Sequence, residues 1–222
     1  MDSLWDKLDL ELGDRIISAT SFNDEQIKLI SEGLQPCYNI LDLCIGFGNL
    51  AKVLLDQGKN VCGIDIRPKS LEYVKRKVGE GKEGSLYLIQ GDIQRLEYES
   101  EFDGVSCVSS FVFPDLDPIT SGIYNALRPR GYFAVTGIES SEIQRHVEFM
   151  QSELTKKIQD GALSFTPEEI EKVKEVGESF DLNQVKDSSQ RVTDSLTRSG
   201  FKVNRVEPFY QNTCYFLLAQ RD

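Results

Sequence analysis

The run Ile40-Leu41-Asp42-Leu43-Cys44-Ile45-Gly46-Phe47-Gly48-Asn49 reads as a strand that ends in a glycine-bearing turn and opens a helix. Where a backbone must pass close to a ligand, glycine removes the Cβ that would obstruct it. Tight strand-to-helix turns want glycine for packing as well, so the turn alone leaves both readings open. A second strand, Val61-Cys62-Gly63-Ile64-Asp65, ends in a carboxylate 17 residues after Gly48. In a doubly wound fold a carboxylate at that place reaches a ribose, and its ionised oxygens can accept from both hydroxyls. A third run, Leu86-Tyr87-Leu88-Ile89-Gln90, passes into Gly91-Asp92-Ile93 and sets another acceptor beside the same crevice.

The elements that must hold these residues follow from periodicity. Short apolar runs of strand length alternate with helical patterns between residues 39 and 137, as in a parallel sheet covered by helices. Strands are expected at 39–44, 61–65, 85–90, 102–109 and 132–137. Asn49 to Gln57 carries Leu50, Val53 and Leu54 on one helical face and stops at Gly58. Pro68 to Val78 turns Leu71, Val74 and Val78 inward, and Ile119 to Leu127 forms a further helix ended by Pro129. Ser189 to Ser199 is a helix closed by Gly200. Phe201–Glu207 and Thr213–Gln220, parted by Pro208-Phe209-Tyr210-Gln211-Asn212, read as an antiparallel hairpin.

At 222 residues the chain reads as one domain, with N-terminal helices over 1–36 and a helical lid insertion over 139–188. Residues 139–190 hold 12 acidic and 6 basic side chains, so they supply −6 of the net charge of −11. Within them Thr166-Pro167-Glu168-Glu169 is a helix start: a Thr cap, Pro at the first helical position and carboxylates in the first turn. The acidic balance repels phosphate backbones and anionic membrane surfaces, which argues against nucleic acid and membrane partners. No apolar run approaches the roughly 18 residues that cross a bilayer. The opening Met1-Asp2-Ser3-Leu4-Trp5-Asp6 lacks the basic and apolar regions of a secretory leader, so a cytoplasmic location is expected. Five cysteines without a CxxC pair are expected to be reduced core thiols, with no metal site.

The three strand ends together resemble the class I S-adenosylmethionine-dependent methyltransferases, over roughly residues 37–138 plus the last helix and hairpin. The resemblance implies a Rossmann-like, doubly wound α/β fold: a seven-stranded, mostly parallel sheet with a reversed C-terminal edge strand and helices on both faces. It implies S-adenosyl-L-methionine as cofactor. Asp42 would face the methionine amino group, directly or through water, and Gly46 and Gly48 would let the turn approach. Asp65 would hold the ribose hydroxyls, Ile66 would pack on adenine, Asp92 would accept from the adenine amine, and the Ile93 amide would read a ring nitrogen. Cys44 stands where the family usually has the first glycine of its motif, and Ser109 is a further candidate contact. A nicotinamide-binding reading shares the turn and the ribose carboxylate; its third glycine would fall on Ala51, and it asks for neither Asp42 nor Gly91-Asp92. A cyclase or lyase acting on the same sulfonium and a non-catalytic binding module also stay open.

The acceptor side is less legible. Ser109-Ser110-Phe111-Val112-Phe113-Pro114-Asp115 stands where amide-nitrogen methyltransferases of DNA and protein resemble Asn-Pro-Pro-Tyr, and that motif is missing. With the acidic surface, this points to a small-molecule acceptor. Phe111 and Phe113 either wall its pocket or close the core. Candidate proton acceptors are His146, the only histidine, Tyr210 in the hairpin, and Glu139 at the end of strand five. Methyl transfer from a sulfonium also proceeds without a base when alignment and exclusion of water supply the rate.

Overall fold

The computed structural model describes residues 9–78, 84–109, 113–178 and 188–222. Its strands are β1 (Asn39–Leu43), β2 (Asn60–Asp65), β3 (Leu86–Gln90), β4 (Phe102–Val108), β5 (Leu127–Ile138), β6 (Phe201–Phe209) and β7 (Cys214–Arg221). They form one seven-stranded sheet in the order β3-β2-β1-β4-β5-β7-β6. The pairs β2/β3, β1/β2, β1/β4 and β4/β5 are parallel, and β7 runs antiparallel to both β5 and β6. The reversed strand, expected at the edge, thus sits one place in, with β6 outside it. Chain order reverses between β1 and β4, and in open α/β sheets a crevice opens beyond the carboxyl ends of the strands at such a point.

Helices α1 (Leu10–Ser18), α2 (Ser21–Gly33), α3 (Asn49–Asp56), α4 (Pro68–Val78), α5 (Asp117–Ala126), α6 (Ile143–Gln159), α7 (Pro167–Glu178) and α8 (Ser189–Arg198) surround the sheet. Alternation along the strands builds two cores. Leu41, Leu43, Val105 and Cys107 face Ile119 and Ile123 of α5 and Val192 and Leu196 of α8. Ile40, Val61 and Ala134 face Phe22 and Ile30 of α2, Leu50 and Leu54 of α3 and Val74 of α4. The Asp9, Thr20 and Ser188 side chains accept from the first-turn amides of α1, α2 and α8. Among the described residues between β3 and β4 only a 3-10 turn (Ile93–Arg95) forms, which leaves Tyr87 exposed.

Two boundaries differ from the periodicity. The helix expected to end at Leu127 ends at Ala126, and β5 begins there: Leu127 pairs with Phe102, and the register then shifts so that Tyr132 meets Gly104. Arg128-Pro129-Arg130 fills the shift, where a proline lacking its N–H breaks no ladder bond. The first hairpin strand continues through Pro208 to Phe209, because its turn is short: Tyr210, Gln211 and Asn212 all take the left-handed conformation, with φ 45, 57 and 60°.

The insertion docks on the N-terminal helices through polar bonds. Glu153 of α6 accepts from the Ser21 amide at 2.8 Å and its hydroxyl at 3.0 Å. Arg15 of α1 meets Glu169 of α7 at 2.6 Å, donates to the Ser164 carbonyl at 2.6 Å and lies over the Phe165 ring. Only His146 of the 17 residues in α6 is fully buried. Residues 179–187 of the insertion, and Ser110, Phe111 and Val112 after β4, lie outside the described residues.

Candidate active site

The turn after β1 is held in the left-handed region at three places: Cys44 (φ 54°), Gly46 (φ 55°) and Gly48 (φ 71°). Each glycine is needed for a different reason. A Cβ on Gly48 would lie 2.9 Å from Val74 Cγ1, so that glycine lets α4 pack against the turn. A Cβ on Gly46 would meet only the Cys44 carbonyl, at 3.6 Å, so the space over Gly46 is open to a ligand. Cys44 adopts left-handed geometry without being glycine, at a cost of roughly 1 kcal/mol.

The turn is fixed to β2. Gly46 N–H donates to Asp65 Oδ2 at 3.0 Å, and Ile45 N–H donates to the Ile64 carbonyl at 3.0 Å. The other Asp65 oxygen accepts from the Arg67 amide at 2.9 Å and from Arg67 Nε at 3.3 Å. Each carboxylate oxygen carries two acceptor positions, so Asp65 keeps capacity for one further donor, on Oδ2. The adjacent Ile66 is 63% exposed, an apolar surface at the lip of the crevice. Gly91 N–H bonds the Asp65 carbonyl at 3.1 Å, which brings the end of β3 alongside. Asp92 Oδ1 accepts from the Gln94 amide at 2.9 Å and so starts the 3-10 turn, while the Ile93 side chain is buried.

Asp42 is the most perturbed carboxyl of the group. Its side chain is buried and accepts from Ser106 Oγ, across the β1/β4 pair, at 2.8 Å. Burial pushes its pKa up to about 7; the Ser106 hydrogen bond works against that, and the Asp65 charge adds to it. A carboxyl poised near neutrality at a strand end is the kind of group that a cationic partner would ionise.

The N-terminal helices complete this end of the sheet. Asp14 of α1 accepts from Tyr73 at 2.7 Å and from Ser18 at 2.8 Å and pairs with Lys77 at 2.6 Å. Burial alone would raise the Asp14 pKa, but the bonds from Lys77, Tyr73 and Ser18 together outweigh it and hold the carboxyl below its usual range. Lys77 also donates to Asn49 Oδ1, and Asn49 Nδ2 to Ser18 Oγ and Asn23 Oδ1, so α1 and α2 are tied to the first residue of α3. Gln26 of α2 accepts from Ser109 Oγ at 2.7 Å and Thr136 Oγ1 at 3.3 Å. Apart from Ser109, none of these residues stands out in the sequence as functional. Thr20, Asn23 and Gln26 recur at helical spacing on the stripe that carries Ile30, and all four are buried; that stripe is the signal available.

The nine residues assigned by resemblance to a cofactor, Asp42, Cys44, Gly46, Gly48, Asp65, Ile66, Asp92, Ile93 and Ser109, thus lie at or just beyond the carboxyl ends of β1 to β4. The three proton-acceptor candidates gather elsewhere, around the β6–β7 turn. His146 is buried edge-on to Phe22, with centroids 4.7 Å apart, and to Tyr210, at 5.3 Å. Its Nδ1 lies 3.1 Å from Thr213 Oγ1, whose own proton goes to the Tyr210 carbonyl at 2.8 Å. Nδ1 also lies 3.3 Å from Cys214 Sγ, so it either donates to Thr213 or accepts from the Cys214 thiol. Burial lowers the His146 pKa to about 4, which makes it neutral and weakly basic at pH 7. Tyr210 donates its hydroxyl to Glu153 at 3.2 Å, and burial, with the Glu153 charge, raises its pKa. Glu139 Oε1 accepts from the Ser189 amide at 3.0 Å. Phe113 is half-buried against the α5/α8 core.

Residues 40–131 match the methyltransferase-domain family model. That segment, about two fifths of the chain, is similar to methyltransferase domains. The matched segment runs from β1 into β5 and so contains the glycine turn, Asp42, Asp65 and Asp92. Over 117 residues, 51% of this chain, it is 31% identical to the uncharacterized methyltransferase sll0829 of Synechocystis sp. (strain PCC 6803), and the match spans about half (53%) of that relative. The methyltransferase fold extends further than the family match. The N-methyltransferase NodS of Bradyrhizobium japonicum WM9, solved in complex with S-adenosylhomocysteine, superposes with a TM-score of 0.63 at 12% identity, over 90% of this chain and 87% of that one. Magnesium protoporphyrin IX methyltransferase (ChlM) of Synechocystis PCC 6803, with S-adenosylhomocysteine bound, gives 0.60 at 17% identity, over 93% and 84%.

Proposed function

We propose that the protein binds S-adenosyl-L-methionine at the carboxyl ends of β1 to β4 and directs its methyl group to a small-molecule acceptor. The observation that carries this reading is the open space over Gly46 in a turn fixed to Asp65. A tight turn needed only for packing would be filled there, as it is at Gly48. Asp65 would take one ribose hydroxyl on the Oδ2 position left beside Gly46 N–H and the other in place of the 3.3 Å Arg67 Nε contact, and exposed Ile66 would lie under the adenine. Asp92 and the Ile93 amide would read the base edge, Asp42 would meet the methionine ammonium, and Cys44 and Ser109 would line the approach. Bound there, the cofactor supplies a methyl group on a sulfonium, an electrophile that needs no further activation.

The residues of the chain then have to orient the acceptor and exclude water. His146, Tyr210 and Glu139 serve as positioning groups. With a pKa near 4, His146 is a poor proton acceptor at pH 7, and it packs the β6–β7 turn against Phe22. The insertion acts as the lid: α6 buries only His146 fully, packs Phe149 and Met150 partly against the core and bonds Ser21 through Glu153, a shallow attachment for a 17-residue helix. Its carboxylates, with Glu25 and Glu139, favour neutral or cationic acceptors over anionic ones and disfavour nucleic acid. Five free cysteines support a reducing, cytoplasmic setting, and among the described residues no helix is long and apolar enough to cross a membrane.

Product analysis tests the reading. With S-adenosylmethionine and a panel of small amines, phenols and thiols, S-adenosylhomocysteine should accumulate in step with a methylated acceptor. Methylthioadenosine in its place would mean attack on the aminobutyrate chain, as in a cyclase or lyase. Calorimetric binding of NAD without binding of S-adenosylhomocysteine would overturn the cofactor assignment.

A further inference from the structure

Gln26 lies on α2, outside the segment that matches the methyltransferase family, and is only 3% exposed. Its Oε1 is the shared acceptor for two hydroxyls: Ser109 Oγ, just beyond β4, at 2.7 Å, and Thr136 Oγ1, on β5, at 3.3 Å. Those strands are paired there, Val108 with Thr136, and Ser109 N–H bonds the Thr136 carbonyl at 3.0 Å. The other end of the amide is different. Among the described residues Nε2 donates to none, although a primary amide carries two N–H donors. It is also absent from the fully enclosed polar atoms without a partner, of which Ser70 Oγ is the one found among the described residues. Nε2 therefore keeps a face that solvent or a ligand can reach, on a side chain otherwise enclosed.

The engaged oxygen is on the crevice side. Alternation along β4 and β5 puts Ser106, Val108 and Thr136 on the sheet face covered by α2, and Ser106 is the residue that bonds Asp42. Gln26 thus stands one strand pair beyond Asp42, at the same end and on the same face. With its oxygen engaged twice the amide cannot turn away, so its N–H groups form a fixed donor pair. The charges nearby are carboxylates: Glu25 adjoins Gln26 and accepts from the Tyr210 amide at 2.9 Å, and Glu153 accepts from the Tyr210 hydroxyl at 3.2 Å. A donor so placed would meet a neutral oxygen more readily than a carboxylate.

We propose that Gln26 is a specificity-determining residue that donates through Nε2 to a carbonyl or hydroxyl oxygen of a neutral acceptor, an inference that rests on the methyl-transfer reading above. The test uses the full chain saturated with S-adenosylhomocysteine and follows the Gln26 side-chain amide pair by nitrogen-15 NMR during titration with benzamide, benzyl alcohol or benzoate. The amide signals should move with benzamide or benzyl alcohol and stay put with benzoate at equal concentration. Gln26→Met, which keeps the volume and removes the donor, should weaken benzamide binding at least fivefold while changing S-adenosylhomocysteine affinity less than threefold. Signals unmoved by either neutral probe, or benzamide affinity unchanged in Gln26→Met, overturn the proposal, and a response to benzoate alone overturns the ligand class. Should Gln26→Met not fold, the titration of the parent chain decides by itself. Failure of the parent to bind S-adenosylhomocysteine refutes the cofactor reading instead, which separates the two.

Discussion

Asp42 makes the cofactor assignment testable through pH. Its carboxyl is buried, receives one hydrogen bond from Ser106 at 2.8 Å and titrates at about 7, chiefly because burial penalises the charge. If a ligand ammonium meets Asp42 in its ionised form, binding below pH 7 must first remove a proton. At pH 6 about one tenth of the carboxyl is ionised, so S-adenosylhomocysteine should bind about 10-fold more weakly at pH 6 than at pH 8. Replacing Asp42 with Asn keeps the shape and the Ser106 contact but cannot ionise. The variant should lose the pH dependence and, at pH 8, bind roughly 10- to 100-fold more weakly, since a charge-assisted hydrogen bond is worth roughly 1.5 to 3 kcal/mol. Calorimetry at pH 6, 7 and 8 in two buffers of different ionisation enthalpy measures both the affinity and the protons released. A parent dissociation constant that does not change between pH 6 and 8, or an Asn variant that keeps the slope, would refute the placement of Asp42 against the ammonium.

The same titrations govern the stability of the ligand-free protein. Asp42 is raised from 3.8 to about 7, so its contribution is full below pH 3.8 and is lost as pH rises towards 7, about 4 kcal/mol over that span. His146 is lowered from 6.5 to about 4, so its contribution is full above pH 6.5 and is lost as pH falls towards 4, about 3 kcal/mol. The slopes oppose each other between pH 4 and 6.5: in urea unfolding, His146→Phe should become less stable as pH rises and Asp42→Asn more stable, and the same sign of slope in both would refute the account. Asp65→Ala removes the acceptor of Gly46 N–H as well as the proposed ribose contact and should cost S-adenosylhomocysteine roughly 10- to 100-fold in affinity by calorimetry. Replacing residues 141–186 by a short Gly/Ser bridge should leave S-adenosylhomocysteine binding in place and abolish turnover of the best acceptor in the panel; undiminished kcat/KM would show that the insertion is not a lid.

What the sequence made legible was local. The glycine turn announces itself because left-handed backbone at Gly46 and Gly48 selects one residue type, and Asp65 is visible because a parallel strand ends where its apolar run ends. The parallel, helix-covered sheet follows from the alternation of strand and helix, and the inserted helical segment from a shift in charge. The boundary errors have the same origin: Pro129 marks a break, but pairing of Leu127 with Phe102 decides which side of the break is strand. Position along the chain did not reveal orientation. The sole histidine was a natural proton acceptor on residue type, yet its environment, with Phe22, Tyr210 and Thr213 around it, lowers its basicity.

The acceptor half of the crevice was illegible for a physical reason. Gln26 bonds Ser109 and Thr136, which are 83 and 110 residues away in the chain, and Asp14 reaches Tyr73 across 59. Such contacts leave no local pattern, because a polar residue on a helix has the same identity whether it faces water or a partner strand. The proposed cofactor half is built from backbone: turns, strand ends and amides, whose demands select particular residues at fixed spacing. The proposed acceptor half would be built from side chains of the N-terminal helices, the insertion and the hairpin, each of which can change alone without disturbing the sheet. That asymmetry explains why the family match covers residues 40–131 while the residues that would choose the substrate, Gln26 first among them, lie mostly outside it. On the proposed reading, a change of acceptor requires substitutions on α2 and α6, with the glycine turn and Asp65 left as they are.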